Sequence, residues 1–122
     1  MTASELKQLR KLLFIDITEA ARLIGECETR TWQRWEKGDR PIRLDVIETM
    51  QMLSLSREEL LSVEYDEANP NYRHFETFKE YKDANGGGNE LKWRLAQSIA
   101  SQLLCEQQAL LWQQRETISD ES

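Results

Sequence analysis

Two short helical patterns separated by only five residues constrain this fold more than any other feature. The first covers residues 19–24 and stops at Gly25, and the second covers residues 30–37 and stops at Gly38. Glycine is common directly after the last residue of a helix because it adopts a left-handed backbone conformation at no steric cost. A connection of residues 25–28 therefore predicts two helices that pack closely across a tight turn.

Other helical patterns flank this pair, and residues 1–62 contain no strand-like alternation. Thr2-Ala-Ser-Glu5 is a capping box, which predicts a first helix with an apolar Leu face. A fourth helix is predicted from Leu44 to Leu53, and a second capping box, Ser56-Arg-Glu-Glu59, predicts a short fifth helix through Leu61. We therefore expect an all-α fold that begins with a five-helix domain over residues 1–62.

The second helix of the close pair has one apolar and one polar face. Trp32 and Trp35 lie on the apolar face, where we expect them to pack in the core. The DNA major groove is about 12 Å wide and admits one helix, which needs an apolar side for its own domain and a polar side for the bases. The pair is therefore predicted to be a DNA-binding helix-turn-helix. The polar residues on or beside the second face are Thr29, Arg30, Gln33, Arg34 and Lys37.

The charge distribution is compatible with this prediction although the chain is acidic, with a net charge of −6. Five basic and two acidic residues lie between Arg30 and Arg43. Phosphate attraction acts over about 10 Å, so a local basic patch is sufficient for binding nucleic acid. Taken alone, the same cluster is more typical of a solvated surface stripe.

The residue types that most enzymes and metal sites need are scarce. The chain has one His, His74, and two Cys, Cys27 and Cys105, with no paired metal-ligand motif or phosphate-binding loop. We expect two structural thiols, no metal, no small-molecule cofactor and no catalytic residue. The longest apolar run is four residues, too short for a bilayer, and the first residues lack a signal-peptide pattern. A cytoplasmic location without membrane contact is therefore expected.

The second half is predicted to contain a linker, a dimerisation segment and a frayed tail, at residues 63–71, 72–115 and 116–122. Aromatic residues recur every third position in part of this half: Tyr72, Phe75, Phe78 and Tyr81. We interpret them as a small core under a helix, and a stacking platform for RNA bases is the alternative. Asn89 is predicted to cap a long final helix from Glu90 to about Gln113.

Apolar residues of the final helix predict a homodimer. Projected at 100° per residue, they occupy an arc of about 220°, whereas a surface helix needs little more than about 100°. One neighbouring segment of the chain would cover part of the arc, and a second subunit the rest. The alternative is a monomer with a thicker core. The expected interface residues are Trp93, Leu95, Ala96, Ile99, Ala100 and Leu103.

Several segments resemble a known family. "RTWQRWEKG" and "LDVIETMQMLSLSREEL" resemble the recognition helix and following helices of the lambda-repressor-like helix-turn-helix of the Cro/C1 or XRE type. The start "ELKQLRKLL", the longer turn in "GECETRTWQRWEKG" and the late "WRLAQSIA" are similar to the anti-CRISPR-associated regulators of phages and mobile elements and to the related YdiL-like bacterial proteins. The turn is one residue longer than the commonest spacing in the superfamily, which is usual in this group.

The resemblance implies residue roles. It makes Arg30, Gln33 and Arg34 the residues that read bases, while Thr29, Lys37 and Arg40 meet phosphate. Glu36 stands at the acidic position that pairs with an Arg of the first helix. Arg10 is the candidate partner. The pair would support the helix over residues 30–37 together with the two Trp side chains.

The resemblance also implies a function. Such regulators are dimers that bind inverted repeats upstream of anti-CRISPR operons and repress them, and some also repress by binding the message. We therefore expect a homodimeric repressor that binds double-stranded DNA, controls its own phage or mobile-element operon and is not an enzyme. The alternative is an RNA- or protein-binding module, such as a translational repressor, antitoxin or adaptor, that uses the helix-turn-helix as a scaffold.

Overall fold

A computed structural model describes residues 1–63, 66 and 68–121 of the chain, with side chains as far as Gln107. The helices of the first half are α1 (Ala3–Leu12), α2 (Ile17–Ala20), α3 (Thr29–Lys37) and α4 (Leu44–Ser62). After a 3₁₀ turn (Pro70–Tyr72), the helices of the second half are α5 (Phe78–Asn85) and α6 (Glu90–Glu121). All regular elements of the described residues are helical, so the predicted all-α class is confirmed.

Capping boxes begin both α1 and α2. The Thr2 hydroxyl accepts a hydrogen bond from the Glu5 amide at 3.1 Å, and the Glu5 carboxylate accepts one from the Thr2 amide at 2.7 Å. Asp16 and Glu19 form the same reciprocal pair at the start of α2. Each box supplies acceptors for first-turn amides, which have no partner within the helix. α2 then passes into a π-helical turn, Ala21–Gly25.

The separate fourth and fifth helices predicted from the sequence are wrong, because α4 is continuous from Leu44 to Ser62. Ser54 bonds back to the carbonyl of Met50 at 2.8 Å, as serine does inside a helix. Ser56 lies in mid-helix, and no Gly or Pro interrupts the segment. Arg57, in the following turn, is buried and donates a hydrogen bond to Ser98 of α6. This tertiary contact favours continuing the helix over starting a new one at Ser56.

The first four helices pack around one core, which also receives part of the second half. Leu6, Trp32 and Met50 are fully buried at its centre. Leu95 and Ile99 of α6 belong to the same hydrophobic cluster, as does Tyr72. The predicted boundary at residue 62 thus divides residues that share a core, and the predicted linker, residues 63–71, lies partly outside the described residues.

A second, smaller core lies between α5 and α6. Tyr81, Trp93 and Ala96 are buried in it, and Phe75 and Phe78 pack against it. The phenolic hydroxyl of Tyr81 donates to the Asn71 side chain at 2.9 Å. This arrangement matches the interpretation of the aromatic residues as a core. Since Tyr81 is fully buried, its ring is not available for stacking with bases.

The packing of the single chain already covers four of the six predicted interface residues. Trp93, Leu95, Ala96 and Ile99 are each less than a tenth exposed within the single chain. The wide apolar arc of α6 is covered twice by its own subunit, on one side by the main core and on the other by the aromatic core. Among the predicted interface residues, Ala100 and Leu103 are only half-buried. The side chains of Leu110 and Leu111, which contributed to the predicted arc, lie outside the described residues.

α6 extends further than its sequence pattern predicted. It continues to Glu121, past the expected end near Gln113 and through residues 116–121 of the predicted frayed tail. Position 122 lies outside the described residues. In the part of the chain that the structure describes, no helix combines the length and apolar character needed to cross a membrane.

Candidate nucleic-acid interface

The turn before α3 depends on a close approach at Gly25. A Cβ atom at this position would lie 2.7 Å from the Cys27 sulfur and 3.3 Å from the rings of Trp32 and Trp35. Glu26 follows in the left-handed conformation, with φ of 47°. The missing Cβ of Gly25 therefore lets the end of the π turn lie directly on the inner face of α3.

The inner face of α3 is held by its two Trp side chains. Trp32 is fully buried and Trp35 is 3% exposed, with ring centroids 5.5 Å apart in an edge-to-face arrangement. Burial raises the pKa of the neighbouring Cys27 thiol, which keeps it neutral beside the rings. These contacts anchor α3 on the core and fix which face points outward.

A buried ion pair adds a polar anchor. Arg10 donates from Nε to Glu36 Oε2 at 2.6 Å and from the adjacent amino group to Oε1 at 3.1 Å. The Trp32 indole also donates to Glu36 Oε2, and Arg10 donates to the carbonyl of Ile15 at 3.0 Å. The structure thus brings together the Arg–Glu pair that the resemblance implied and joins it to the α1–α2 connection.

The outer face of α3 carries the predicted base-reading side chains. Arg30, Gln33 and Lys37 are exposed and Arg34 is half-buried; we call these four residues the reading face. Arg40, in the turn after α3, is also exposed. Within the described residues, none of these five side chains forms a hydrogen bond or an ion pair. Their donors are therefore available to an external acceptor.

Thr29 lies inside α3, which begins one residue earlier than the helix predicted over residues 30–37. It is the first residue of α3 rather than the N-cap, which is Glu28, and the Glu28 side chain makes no capping hydrogen bond. Thr29 is half-buried at the N-terminal end of α3, one residue before the reading face begins. It remains a candidate for phosphate contact because first-turn amides point outward there.

Arg43 contributes to the basic cluster in the sequence but is engaged in internal contacts. It donates to both carboxylate oxygens of Asp45, at 3.0 and 2.9 Å, and to the carbonyl of Gly25 at 2.8 Å. Its guanidinium also lies 5.4 Å from the ring centroid of Trp35. These hydrogen bonds hold the pKa of Asp45 below its ordinary value. Arg43 therefore acts as a brace between the segment after α3 and the turn before it.

Lys7 lies beside the reading face, which was not predicted from the sequence. It lines a cleft of about 220 Å³ together with Ile17 of α2 and with Gln33, Glu36 and Lys37 of α3. Lys7 lies one helical turn before Arg10, whose partner is on α3. Residues three positions apart lie on the same face of a helix, so Lys7 faces α3 as Arg10 does. The pair between Arg10 and Glu36 that the resemblance implied could therefore have predicted that Lys7 lies beside the reading face.

The described residues contain no group of three or more His, Cys, Asp or Glu side chains arranged to hold a metal ion. Cys27 is half-buried beside α3, whereas Cys105 is exposed on α6. His74 is exposed and lies near Tyr72 and Leu103 at a shallow cleft. The chemistry of the reading face is therefore that of hydrogen-bond donors and positive charge.

Known proteins resemble this chain over most of its length. A model of the Aca2/YdiL-like family matches residues 1–112. The Aca2 repressor of Pectobacterium phage ZF40 is 38% identical over 105 residues, covering 83% of this chain and 90% of that protein. The uncharacterized protein YdiL of Escherichia coli (strain K12) is 27% identical over 109 residues, covering 84% and 92%. The resemblance noted in the sequence is confirmed, and the chain belongs to the Aca2/YdiL-like family.

Proposed function

We propose that this protein is a transcriptional repressor that binds an inverted-repeat operator as a homodimer and controls its own phage or mobile-element operon. The reading face carries this proposal. Its Arg and Lys side chains are free of internal partners in the described structure, although acidic residues outnumber basic ones in the chain, 22 to 16. Basic side chains held on a rigid helix without ion-pair partners favour a polyanion as their partner.

The roles of the individual residues follow from their chemistry. Arg30 and Arg34 bind the O6 and N7 atoms of guanine through two donors, and Gln33 binds the N6 and N7 atoms of adenine. Lys37 and Arg40 contact phosphates, which position the protein without specifying sequence. Thr29 adds a phosphate contact at the first turn of α3. Lys7, which lines the cleft beside Lys37, adds one from α1.

A regulatory function rather than catalysis is supported by the relative from the phage, which is named a repressor. The all-helical scaffold holds α3 through Trp32, Trp35 and the Arg10–Glu36 pair, with the reading face directed away from the core. A rigid helix of this kind suits recognition of base edges, because the donors must meet fixed acceptor positions.

The homodimer is proposed to form through the outer side of α6. Leu104 is 56% exposed, and Ala100 and Leu103 beside it are half-buried. The helix backbone continues 17 residues beyond Leu104, from position 105 to Glu121, or about 26 Å at 1.5 Å per residue. A second copy packed along this length would give the two-fold symmetry that an inverted repeat requires.

A binding titration with three labelled probes tests the proposal. They are duplex DNA from upstream of the protein's own gene, a scrambled duplex, and a hairpin RNA copied from the same region. We expect the native duplex to bind most tightly, with affinity falling steeply as salt rises because counterions are released from phosphates. Equal affinity for the scrambled duplex would contradict the proposal, and preferential binding of the hairpin would replace DNA with RNA as the target.

Two lysine variants provide a matched comparison. Lys37→Ala should weaken binding to all duplexes alike and reduce the slope of log affinity against log salt by about one. Lys79→Ala removes the same charge from an exposed position on α5 and should leave both quantities unchanged. Identical salt slopes for Lys37→Ala and the parent would show that Lys37 does not contact the DNA backbone.

A further inference from the structure

A row of side chains on α6 is hydrogen-bonded to the first half of the chain. Glu90, Arg94, Ser98 and Gln102 recur every fourth residue and therefore lie along one side of the helix. We call these four residues the polar stripe. Each forms a hydrogen bond to a residue of α2, the π turn or α4. The polar stripe thus runs beside Leu91, Leu95 and Ile99, which pack on the main core.

The central bond of the polar stripe joins α6 to α2. Arg94 donates to both oxygens of Glu19, from Nε at 2.9 Å and from the terminal amino group at 2.8 Å. The side chains are 24% and 10% exposed, so water screens the pair only partly. Glu19 is also the third residue of α2 and belongs to its capping box with Asp16. Arg94 therefore binds α2, the helix that leads directly into the turn before α3.

The same guanidinium is held from the other side by the aromatic core. Arg94 donates from its second terminal nitrogen to the Gln97 side chain at 2.9 Å, and it lies 4.1 Å from the ring centroid of Trp93. Gln97 and Trp93 both donate to the carbonyl of Phe75, at 2.8 and 2.9 Å. Arg94 is thus a fixed connection between α2 and the segment before α5.

Two further attachments restrict rotation about this connection. Arg22, in the π turn, donates to both carboxylate oxygens of Glu90, at 3.2 and 2.8 Å. Arg57 of α4 donates to Ser98 at 3.3 Å and to Gln102. The three attachments are spread over three turns of α6 and reach three different segments of the first half. Directional hydrogen bonds at separated points fix an angle more tightly than apolar packing alone.

We propose that the polar stripe, with Arg94 as its central positioning residue, fixes the orientation of α6 relative to α3 and thereby sets the spacing between operator half-sites. This inference rests on the proposed function. If two subunits join through α6, the angle between α6 and α3 determines where the two reading faces lie. Arg94 contacts no base or phosphate in this scheme and acts only through Glu19.

The geometry of DNA makes the effect of this orientation on half-site spacing measurable. Inserting one base pair between half-sites moves one of them by about 3.4 Å and rotates it by about 35° around the helix axis. A dimer with rigidly attached reading helices loses contacts on a shifted site, whereas a loosened dimer adapts. The polar stripe therefore contributes to selectivity for spacing rather than to the affinity of one subunit for one half-site.

The test compares operators whose half-site spacing is shortened or lengthened by one and two base pairs, together with a duplex that contains a single half-site. Arg94→Met removes the bonds to Glu19 but keeps an aliphatic side chain over Trp93. Lys92→Met is the matched control, because it removes the same charge from an exposed position on the same helix. Arg94→Lys keeps the charge but offers only one donor group in place of the planar fork.

We expect the parent and Lys92→Met to prefer one spacing sharply. In Arg94→Met, the affinity ratio between the best and the shifted operators should shrink at least about fivefold, which is the low end of the coupling found between linked sites. Arg94→Lys should give an intermediate ratio. Binding to the single half-site should stay unchanged in all variants. An unchanged ratio in Arg94→Met would overturn the positioning role while leaving the repressor proposal intact. Absence of sequence-specific binding by the parent would overturn both.

A measurement without DNA separates positioning from general loss of stability. Amide hydrogen exchange should speed up in α2 and in residues 90–98 of Arg94→Met, while the amides of α3 keep the protection they have in the parent. If exchange instead rises equally throughout the chain, or rises nowhere, Arg94 is not a positioning residue.

Discussion

Arg10 and Glu36, 26 positions apart in the sequence, form a two-pronged ion pair between α1 and α3, with the closest contact at 2.6 Å. Their side chains are 8% and 6% exposed. A buried pair of this kind does not by itself guarantee a net gain in stability, because both charges lose their hydration. Removing only one partner, however, leaves the other charge buried without compensation.

The first prediction follows from that asymmetry. Glu36→Ala and Arg10→Ala should each lower the free energy of unfolding by about 3–5 kcal/mol. The double variant should lose about 1–3 kcal/mol less than the sum of the two, measured by urea-induced unfolding. The same cycle on Arg43 and Asp45, which are 46% and 66% exposed, should give a coupling energy below about 1 kcal/mol. Additive losses at Arg10 and Glu36 would show that the buried pair is not coupled.

The second prediction concerns the turn before α3. Gly25→Ala should lower the free energy of unfolding by about 1–3 kcal/mol, because the new methyl group meets Cys27 and both Trp rings. Gly86 offers the opposite case, with φ of +71° and open space around it. Gly86→Asn should therefore have little effect, since Asn tolerates the left-handed conformation. Thermal unfolding of both variants measures the difference, and equal stability of Gly25→Ala and the parent would contradict the close approach.

The third prediction concerns base recognition. Arg30→Ala and Arg34→Ala should each cost about 1–3 kcal/mol on the specific operator and relax the preference at one base pair. Gln33→Ala should do the same at a different position, because an amide pairs with adenine rather than guanine. Competition binding against operators with single base-pair changes locates the contacts. Unchanged operator affinity in both Arg variants would mean that the reading face is assigned to the wrong side chains.

The fourth prediction concerns pH. The backbone amide of Glu19 donates to the Asp16 carboxylate at 2.7 Å and lowers the pKa of Asp16 below its ordinary value. A depressed pKa in the folded state adds stability that is complete above the unfolded pKa, about 3.9, and is lost as pH falls through the folded value. Thermal unfolding followed from neutral pH down to about pH 3 should therefore show a smaller acid-induced loss in Asp16→Asn than in the parent.

Asp39→Asn is the control for this series, since it removes the same charge from an exposed side chain after α3. Its pH profile should run parallel to that of the parent. If Asp16→Asn is also parallel, the capping box at α2 does not contribute to the acid dependence of stability.

Local patterns in the sequence determined the helical class, most of the helix starts and the end of α3. The capping boxes at Thr2 and Asp16 act through residues three positions apart, and Gly38 ends α3 with φ of 79°. Periodicity alone placed Trp32 and Trp35 inward and the basic side chains outward. These features are readable because their causes lie within one or two helical turns.

Features that depend on distant partners were decided only by the tertiary structure. The sequence pattern breaks α4 at Ser56, but burial of Arg57 against α6 keeps the helix continuous. The width of the apolar arc of α6 predicted a second subunit, but two cores of the same chain cover most of it. A helical projection shows how much apolar surface needs covering, and only packing decides which segment covers it. The bond between Glu19 and Arg94 joins residues 75 positions apart, and no local pattern could have revealed it.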